Sequence, residues 1–272
     1  MVSVVIPSYN SEKFINDTIN SVLNQTYNNF LITVVDDKST DKTVEIVNSF
    51  KDKRVKIVQN ESNIGIINNF NKCLDIGKKA EYTVIMCNDD LLEKDYLEKK
   101  IEEFKKDDEV VLVSNATRII NEEGKKLLIR RNIKNEKIDG NKALEYSLKK
   151  GNIFGEPTCI MLKSKYIDKV GYFNEKLKHT LDWEYYIRFS MQGKVVFKKE
   201  ILSSFRISNN SHSSKIIKMK DMIKSEHNIV SKEIVELLNK KESLMQQVKR
   251  NAIFETRYFA KIILFIIQNK FN

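Results

Sequence analysis

The sequence predicts an α/β fold built on a mostly parallel central sheet with helices on both faces, followed by a C-terminal helical extension. Short β-branched and apolar runs recur through the first 115 positions, each separated from the next by a segment of helical periodicity. Strands separated by helices of about 10–15 residues imply a parallel sheet covered on both sides. From about residue 215 onward the periodicity is helical to the end.

Residues 2–6 form the first strand, which ends at Pro7. Residues 11–23 are amphipathic, with Phe14, Ile15, Ile19, Val22 and Leu23 on one face. Residues 31–35 form a second strand closing on Asp36 and Asp37, after which Asp41 caps a helix reaching Phe50. Strands at 55–58, 82–86 and 110–113 alternate with helices at 66–76 and 95–104, the signature of βαβ units in a nucleotide-binding type of domain. The rhythm then changes. Residues 116–120 and 126–129 flank Asn121-Glu-Glu-Gly124 as a hairpin, 141–149 is a helix, and a loop over 151–157 leads to a strand at 158–162. A helix over 181–191 and a pair of short strands within 195–205 follow.

The 272 residues, 41% hydrophobic and 31% charged, suffice for one large domain or a domain with a tail. Two prolines and eight glycines leave little room for a flexible linker. The net charge of +10 comes from 47 basic and 37 acidic residues. It favours a phosphorylated or anionic partner. The positives form no block with interleaved aromatics, which disfavours nucleic acid. Cys73, Cys87 and Cys159 share no C-x-x-C spacing and are odd in number, as expected of reduced thiols in the cytoplasm. The amino terminus enters a strand without a basic region, so no signal peptide is expected, and no apolar stretch reaches the ~18 residues of a membrane span. In the last segment Arg250, Arg257, Lys261 and Gln268 share a narrow stripe, and Ile253, Phe254, Tyr258, Phe259, Ile262, Ile263, Phe265 and Ile266 are apolar around it. That face needs covering by the protein's own body, a partner or a lipid surface.

Absences narrow the chemistry. There is no P-loop, no G-x-G-x-x-G, no G-x-S-x-G elbow, and no zinc spacing among His179, His212 and His227. What remains is carboxylates at strand ends: Asp36 and Asp37 after the second strand, Asp89 and Asp90 after the fourth. In a parallel sheet these ends share one edge, where ligands bind. Four acids converging there need a cation or strong hydrogen-bond donors such as a nucleobase imide and ribose hydroxyls. Two hard oxygen ligands suit Mg²⁺ or Mn²⁺ carrying a diphosphate; capping of the helix that follows is the simpler role for one of the pair.

The run Val2-Ser-Val-Val-Ile-Pro-Ser-Tyr-Asn10 resembles the opening of family 2 glycosyltransferases of the GT-A fold. So do Val34-Val-Asp-Asp-Lys-Ser-Thr-Asp41, Asn63-Ile-Gly65 with Asn71, Asn88-Asp-Asp90, Val170-Gly-Tyr-Phe-Asn-Glu175, and Asp182-Trp-Glu-Tyr-Tyr-Ile-Arg188. The likeness runs from residue 2 to about residue 206. It implies a GT-A nucleotide-diphospho-sugar transferase domain over 1–214, divided into a nucleotide-binding half (1–115) and an acceptor-binding half (116–214), with 215–272 as the helical extension. It further implies an inverting transfer from a UDP- or dTDP-sugar to a glycan or lipid-linked acceptor in cell-surface polysaccharide biosynthesis.

By that resemblance Pro7 and Tyr9 contact the base, Asp37 bonds its imide, and Asp36 positions the loop. Asp89 approaches the ribose or sugar and, with Asp90, the Mn²⁺ or Mg²⁺ on the diphosphate. Asn71 lies near the nucleotide or is a helix-surface residue. Asp182 is the catalytic base and could also cap its helix. The stretch from Arg206 to Ser214 holds an Arg or His near the diphosphate, which makes His212 a candidate metal ligand. Trp183 is expected in the core or cleft wall, and Arg188 in an ion pair. Two positions depart from the pattern: Leu181 stands where many members have Glu, and Cys87 where many have Asp. A basic and amphipathic tail would bring such an enzyme to the inner face of the membrane. A nucleotidyltransferase would need a Gly-rich, Arg-containing loop after the first strand, and Ser8-Tyr-Asn-Ser-Glu12 has none. A non-catalytic nucleotide-binding scaffold of the same fold is the other alternative; the intact Asp37, Asp89, Asp90 and Asp182 argue against decay.

Overall fold

The computed structural model describes residues 1–131, 133, 136–208 and 219–270. Strands β1 (Val2–Ser8), β2 (Phe30–Asp36), β3 (Val55–Gln59) and β4 (Tyr82–Ile85) pair in parallel in the order β3-β2-β1-β4. Successive strand residues point to opposite faces. Val4, Ile6, Ile32, Val34 and Val84 therefore bury against α1 (Ile15–Leu23) and α4 (Tyr96–Lys106), and Val5, Val35 and Ile85 against α3 (Ile66–Gly77). Burying each such aliphatic side chain contributes about 1.5–3 kcal/mol. The short α2 (Thr43–Ser49) has Lys42 at its cap position; Asp41, expected there, stands one residue earlier and its carboxylate accepts the Thr43 N–H at 3.0 Å.

The second half of the ten-stranded sheet is mixed. Strand β9 (Met161–Lys163) runs antiparallel between β4 and β6 (Val110–Ile120) and welds the halves together. The predicted hairpin is present as β6 with β7 (Lys126–Arg130). Strand β10 (Lys194–Arg206) lies parallel to β6 and also carries β5 (Leu91–Leu92) and β8 (Glu136–Asp139) in antiparallel pairs. Three expectations change. The runs at 110–113 and 116–120 are one strand, because Ser114 and Asn115 are buried within the sheet. The pair expected within 195–205 is also one strand, with register shifts around Lys198, Ile201 and Ser203 absorbing its polar middle. The strand expected at 158–162 is shortened because Pro157 opens a single tight turn, Pro157–Cys159.

Helices α5 (Gly140–Lys150), α6 (Ile167–Val170) and α7 (Leu181–Ser190) cover the second half. The tail expected to be one helical run is two helices, α8 (Lys220–Leu237) and α9 (Leu244–Lys270). Asn239, at a left-handed φ of 50°, turns the chain between them. Val230 and Ile234 of α8 join the same core as Trp183 and Phe189 of α7. On α9 it is Arg250, Phe254 and Tyr258 that turn inward: Arg250 pairs with Glu242 at 3.0 Å, and the two rings pack with Ile223. Met245, Val248, Phe259 and Ile263 stay exposed. Arg250 thus faces the protein, against the simple amphipathic expectation, because Glu242 neutralises it there, whereas Arg257 on the same stripe is exposed. The side chains of Lys261, Phe265, Ile266 and Gln268 lie outside the described residues. Among the described residues no helix is long and apolar enough to cross a membrane.

Candidate active site

The carboxyl ends of β1, β2 and β4 share one edge. Pro7 is buried in β1 opposite Val35, and Tyr9, half exposed, stands just past the strand. Asn10 makes the sharp exit at φ 49°, held by its side-chain oxygen on the Thr40 N–H (2.8 Å) and its own N–H on Ser39 (2.9 Å). Asp36 accepts the Ser39 N–H (3.1 Å), the Ser39 hydroxyl (2.5 Å) and the Gln59 amide (3.2 Å), the loop-positioning role expected of it. Asp37 is buried and accepts from the Asn60 amide (2.8 Å), the Ile64 N–H (2.8 Å) and the Gly65 N–H (3.0 Å). A carboxylate offers about four acceptor positions, so most of Asp37 organises the 60–65 turn. Asn71 on α3 accepts the Phe173 N–H at 2.9 Å, which ties the two halves together.

Beyond β4, Asp90 is fully buried. The Thr158 hydroxyl donates to its Oδ2 (2.5 Å) and the Arg206 N–H to its Oδ1 (2.9 Å). Thr158 also accepts the Cys87 N–H (3.0 Å). The Arg206 guanidinium donates to the carbonyls of Asp89 (2.8 Å) and Glu122 (2.7 Å) and lies 4.6 Å over the Phe14 ring. Arg206 is therefore a lock on the acidic loop. Burial pushes the Asp89 carboxyl up to about 6. Burial, then the neighbouring Asp89 charge, pushes Asp90 well above the usual carboxylate range, with Thr158 and Arg206 opposing the rise.

A buried carboxylate beside a half-buried one that repels it fits a divalent cation, and their hard oxygens suit Mg²⁺ or Mn²⁺. Among the described residues no group of three or more His, Cys, Asp or Glu could hold a metal. The donor set therefore suits an ion that keeps phosphate and water oxygens as its other ligands. His212 lies outside the described residues.

Asp182 is the second residue of α7, two residues past the cap at Thr180 rather than the cap itself. Its Oδ1 accepts the Trp183 N–H (2.7 Å) and its Oδ2 the Asn152 amide (3.4 Å). Asn152 is fixed in turn by the N–H groups of Phe154 (2.9 Å) and Gly155 (3.2 Å). The loop from Asn152 to Thr158 meets both acids, Asp182 through the Asn152 amide and Asp90 through the Thr158 hydroxyl, so one segment links the acids of the two halves of the chain. Arg130 pairs with Glu156 at its side. Trp183 is buried, with its indole N–H 3.4 Å from Ser147 Oγ, and Arg188 pairs with Glu184, both as expected. Thr158, Asn152, Arg130 and Glu156 escaped the sequence reading. The one available signal was the pair Gly151 and Gly155, whose left-handed φ of 71° and 101° bracket Asn152 in a loop too ordered to be a mere connector.

Residues 3–171 match the profile of Glycosyl transferase family 2, and the chain belongs to that family. An uncharacterized glycosyltransferase of Methanocaldococcus jannaschii is 31% identical over 226 residues, 81% of this chain and 76% of that protein. The putative teichuronic acid biosynthesis glycosyltransferase TuaG of Bacillus subtilis is 38% identical over 104 residues, 38% of this chain and 41% of its own. The fold is shared with residues 1–349 of S. aureus TarS in complex with UDP-GlcNAc, at a TM-score of 0.66, 21% identity, and 95% and 72% coverage of the two chains. A longer TarS chain is covered over 43% of its length. It is shared also with the Pyrobaculum calidifontis mannosyltransferase PcManGT in complex with GDP-Man and Mn²⁺, at a TM-score of 0.61, 15% identity, and 95% and 69% coverage. The chain is thus a glycosyltransferase with a GT-A fold.

Proposed function

We propose that the protein transfers one sugar, with inversion and with the aid of a divalent metal, from a UDP- or dTDP-sugar to a glycan or lipid-linked glycan in cell-surface polysaccharide synthesis. The observation that carries this reading is the 152–158 loop, which holds Asp182 through Asn152 and Asp90 through Thr158, in a chain of this family. TarS with UDP-GlcNAc and the mannosyltransferase with GDP-Man and Mn²⁺ support the donor class and the metal by their shared fold; TuaG supports the polysaccharide context.

In this reading Pro7, Tyr9 and the remaining acceptor position of Asp37 receive the base, with Asn71 near the nucleotide. Asp89 meets the ribose or sugar. Asp90, with Asp89, holds the cation, and His212 is a candidate further ligand. A bound Mn²⁺ or Mg²⁺ would neutralise charge on the diphosphate as it leaves. Asp182 takes the proton of the acceptor hydroxyl as that oxygen attacks the anomeric carbon and the bond to the diphosphate breaks on the opposite face. Asn152 and the Trp183 N–H hold the Asp182 carboxylate in one orientation, so the base is not free to rotate away from the attacking oxygen.

The test is release of nucleoside diphosphate from a panel of UDP-, dTDP- and GDP-sugars, with Mn²⁺ or EDTA, for wild type and Asp90→Asn, with donor binding read alongside. Metal-dependent release from one donor, lost in the variant, is expected. Absence of metal-dependent binding of any donor sinks the reading. The outward Met245, Val248, Phe259 and Ile263 of α9 support a cytoplasmic enzyme lying on the inner leaflet, where lipid-linked acceptors reside. Full-length Phe259→Glu should then bind anionic vesicles more weakly than wild type; equal binding removes the membrane from the reading.

A further inference from the structure

Glu226 of α8 is buried, and its carboxylate is spent wholly on another element. It accepts the backbone N–H groups of Lys178 (2.8 Å), His179 (2.9 Å) and Thr180 (3.0 Å), and the Thr180 hydroxyl (3.2 Å). These three consecutive amides form the turn immediately before α7, whose second residue is Asp182. Thr180, at the cap position, makes no side-chain cap bond to that helix. A carboxylate from the extension thus holds the turn that leads into α7, rather than the free amides of the helix itself. The next residue, His227, stacks its ring 4.9 Å from that of Trp183 and 5.2 Å from Phe254 of α9. Glu226 holds the backbone before Asp182, and His227 packs on the side chain after it.

We propose that Glu226 is a positioning residue for Asp182, so that the C-terminal extension is a working part of the acceptor side of the active site rather than only an appendage. The proposal rests on Asp182 being the base. None of the groups that Glu226 touches lies at the carboxyl edge of β1, β2 or β4, where the donor is read. Loss of Glu226 should therefore displace the base while leaving donor binding alone. A misplacement of about 1 Å in a reacting group costs on the order of 100-fold in rate.

The experiment uses full-length Glu226→Ala, Glu226→Gln and Asp182→Asn. Turnover of the sugar-nucleotide panel with water as acceptor is read together with donor affinity and thermal unfolding. Expected is a fall in kcat of roughly 10- to 100-fold for Glu226→Ala at donor affinity within about twofold of wild type. Recovery to within about fivefold is expected for Glu226→Gln, whose carbonyl oxygen still accepts from the turn but whose NH₂ cannot. If Glu226→Ala does not fold, Glu226→Gln carries the test with a kcat deficit at unchanged donor affinity. Wild-type kcat in the Glu226 variants beside a silent Asp182→Asn overturns the positioning role alone. So does a kcat loss matched by equal losses of donor affinity and thermal stability. Full turnover by Asp182→Asn overturns the base assignment beneath it, and a wild type that neither binds nor turns over any donor overturns both.

Discussion

Replacing Thr158 by Val keeps the branched shape and removes one oxygen. That oxygen lies 2.5 Å from Asp90 Oδ2 and 3.0 Å from the Cys87 amide, and the residue is buried. The variant strands a buried N–H and a buried carboxyl oxygen, each worth about 1–3 kcal/mol when left unmade. Their sum, about 2–4 kcal/mol after partial relaxation, corresponds to a fall in Tm of roughly 4–10 °C in a chain of this size. A second consequence is local. The Thr158 hydroxyl steers one Asp90 oxygen and helps hold its carboxyl down against burial. Losing a group that orients a metal ligand costs about 10- to 100-fold in metal affinity. Calorimetric unfolding reads the first effect; titration of Mn²⁺ followed by the paramagnetic resonance of the free ion reads the second. An unchanged Tm would refute the hydrogen-bond argument itself. A lowered Tm with Mn²⁺ affinity within twofold of wild type would show that the hydroxyl supports the loop and not the ion.

Asp182→Asn should lower kcat by roughly 10²- to 10⁴-fold, the worth of a general base, at unchanged donor affinity; a parallel loss of donor binding contradicts that role. Glu233, partly buried on α8, is pushed up to about 7 by burial and then by the Glu184 charge. A raised carboxyl pKa favours the protonated folded state, so its contribution to stability is complete below about pH 4.5 and is lost as pH rises through about 7. Glu233→Gln should consequently raise Tm by roughly 2–4 °C at pH 8 and leave it unchanged at about pH 4, and an equal shift at both values counts against the pair. Gly140→Ala drives a methyl group into the Ser190 carbonyl at the end of α7 and should lower the midpoint of urea unfolding by an amount equal to about 1–3 kcal/mol; an unchanged midpoint means that the two backbones are not in close approach.

Strands β1 to β4 stand within a residue or two of where their apolar runs put them, and their acids stand at the predicted edge. Both facts are local. An apolar run buried on both faces can hardly be anything but an inner strand, and a polar pair at its end must leave the sheet there. The resemblance to the family rested on the same runs and acids, so its reach was the reach of local pattern. The path of β10 was less legible, because Lys198-Lys199-Glu200 reads as a break, whereas paired neighbours on both sides carry the strand through with shifted register. The tail was legible as helix but not in its orientation. Arg250 reads as solvent-facing until Glu242 meets it.

Which residues serve the site beyond the acids was a matter of partners far apart in the chain. Thr158 meets Asp90 across 68 positions and Arg206 meets it across 116; Glu226 reaches the turn before α7 from 46 to 48 positions away. Nothing in the neighbouring residues of Thr158 or Glu226 marks them, because a hydroxyl or a carboxylate on an element reads as solvent-facing until its partner is known. The chain's own periodicity and its strand-end aspartates decided the α/β layering, the ligand edge and the acids that line it, since those follow from burial and backbone geometry over a few residues. Only the packing of β9, β10 and α8 against that frame decided how the acids are held, because a hydrogen bond between distant segments exists only once the sheet and helices have brought them together.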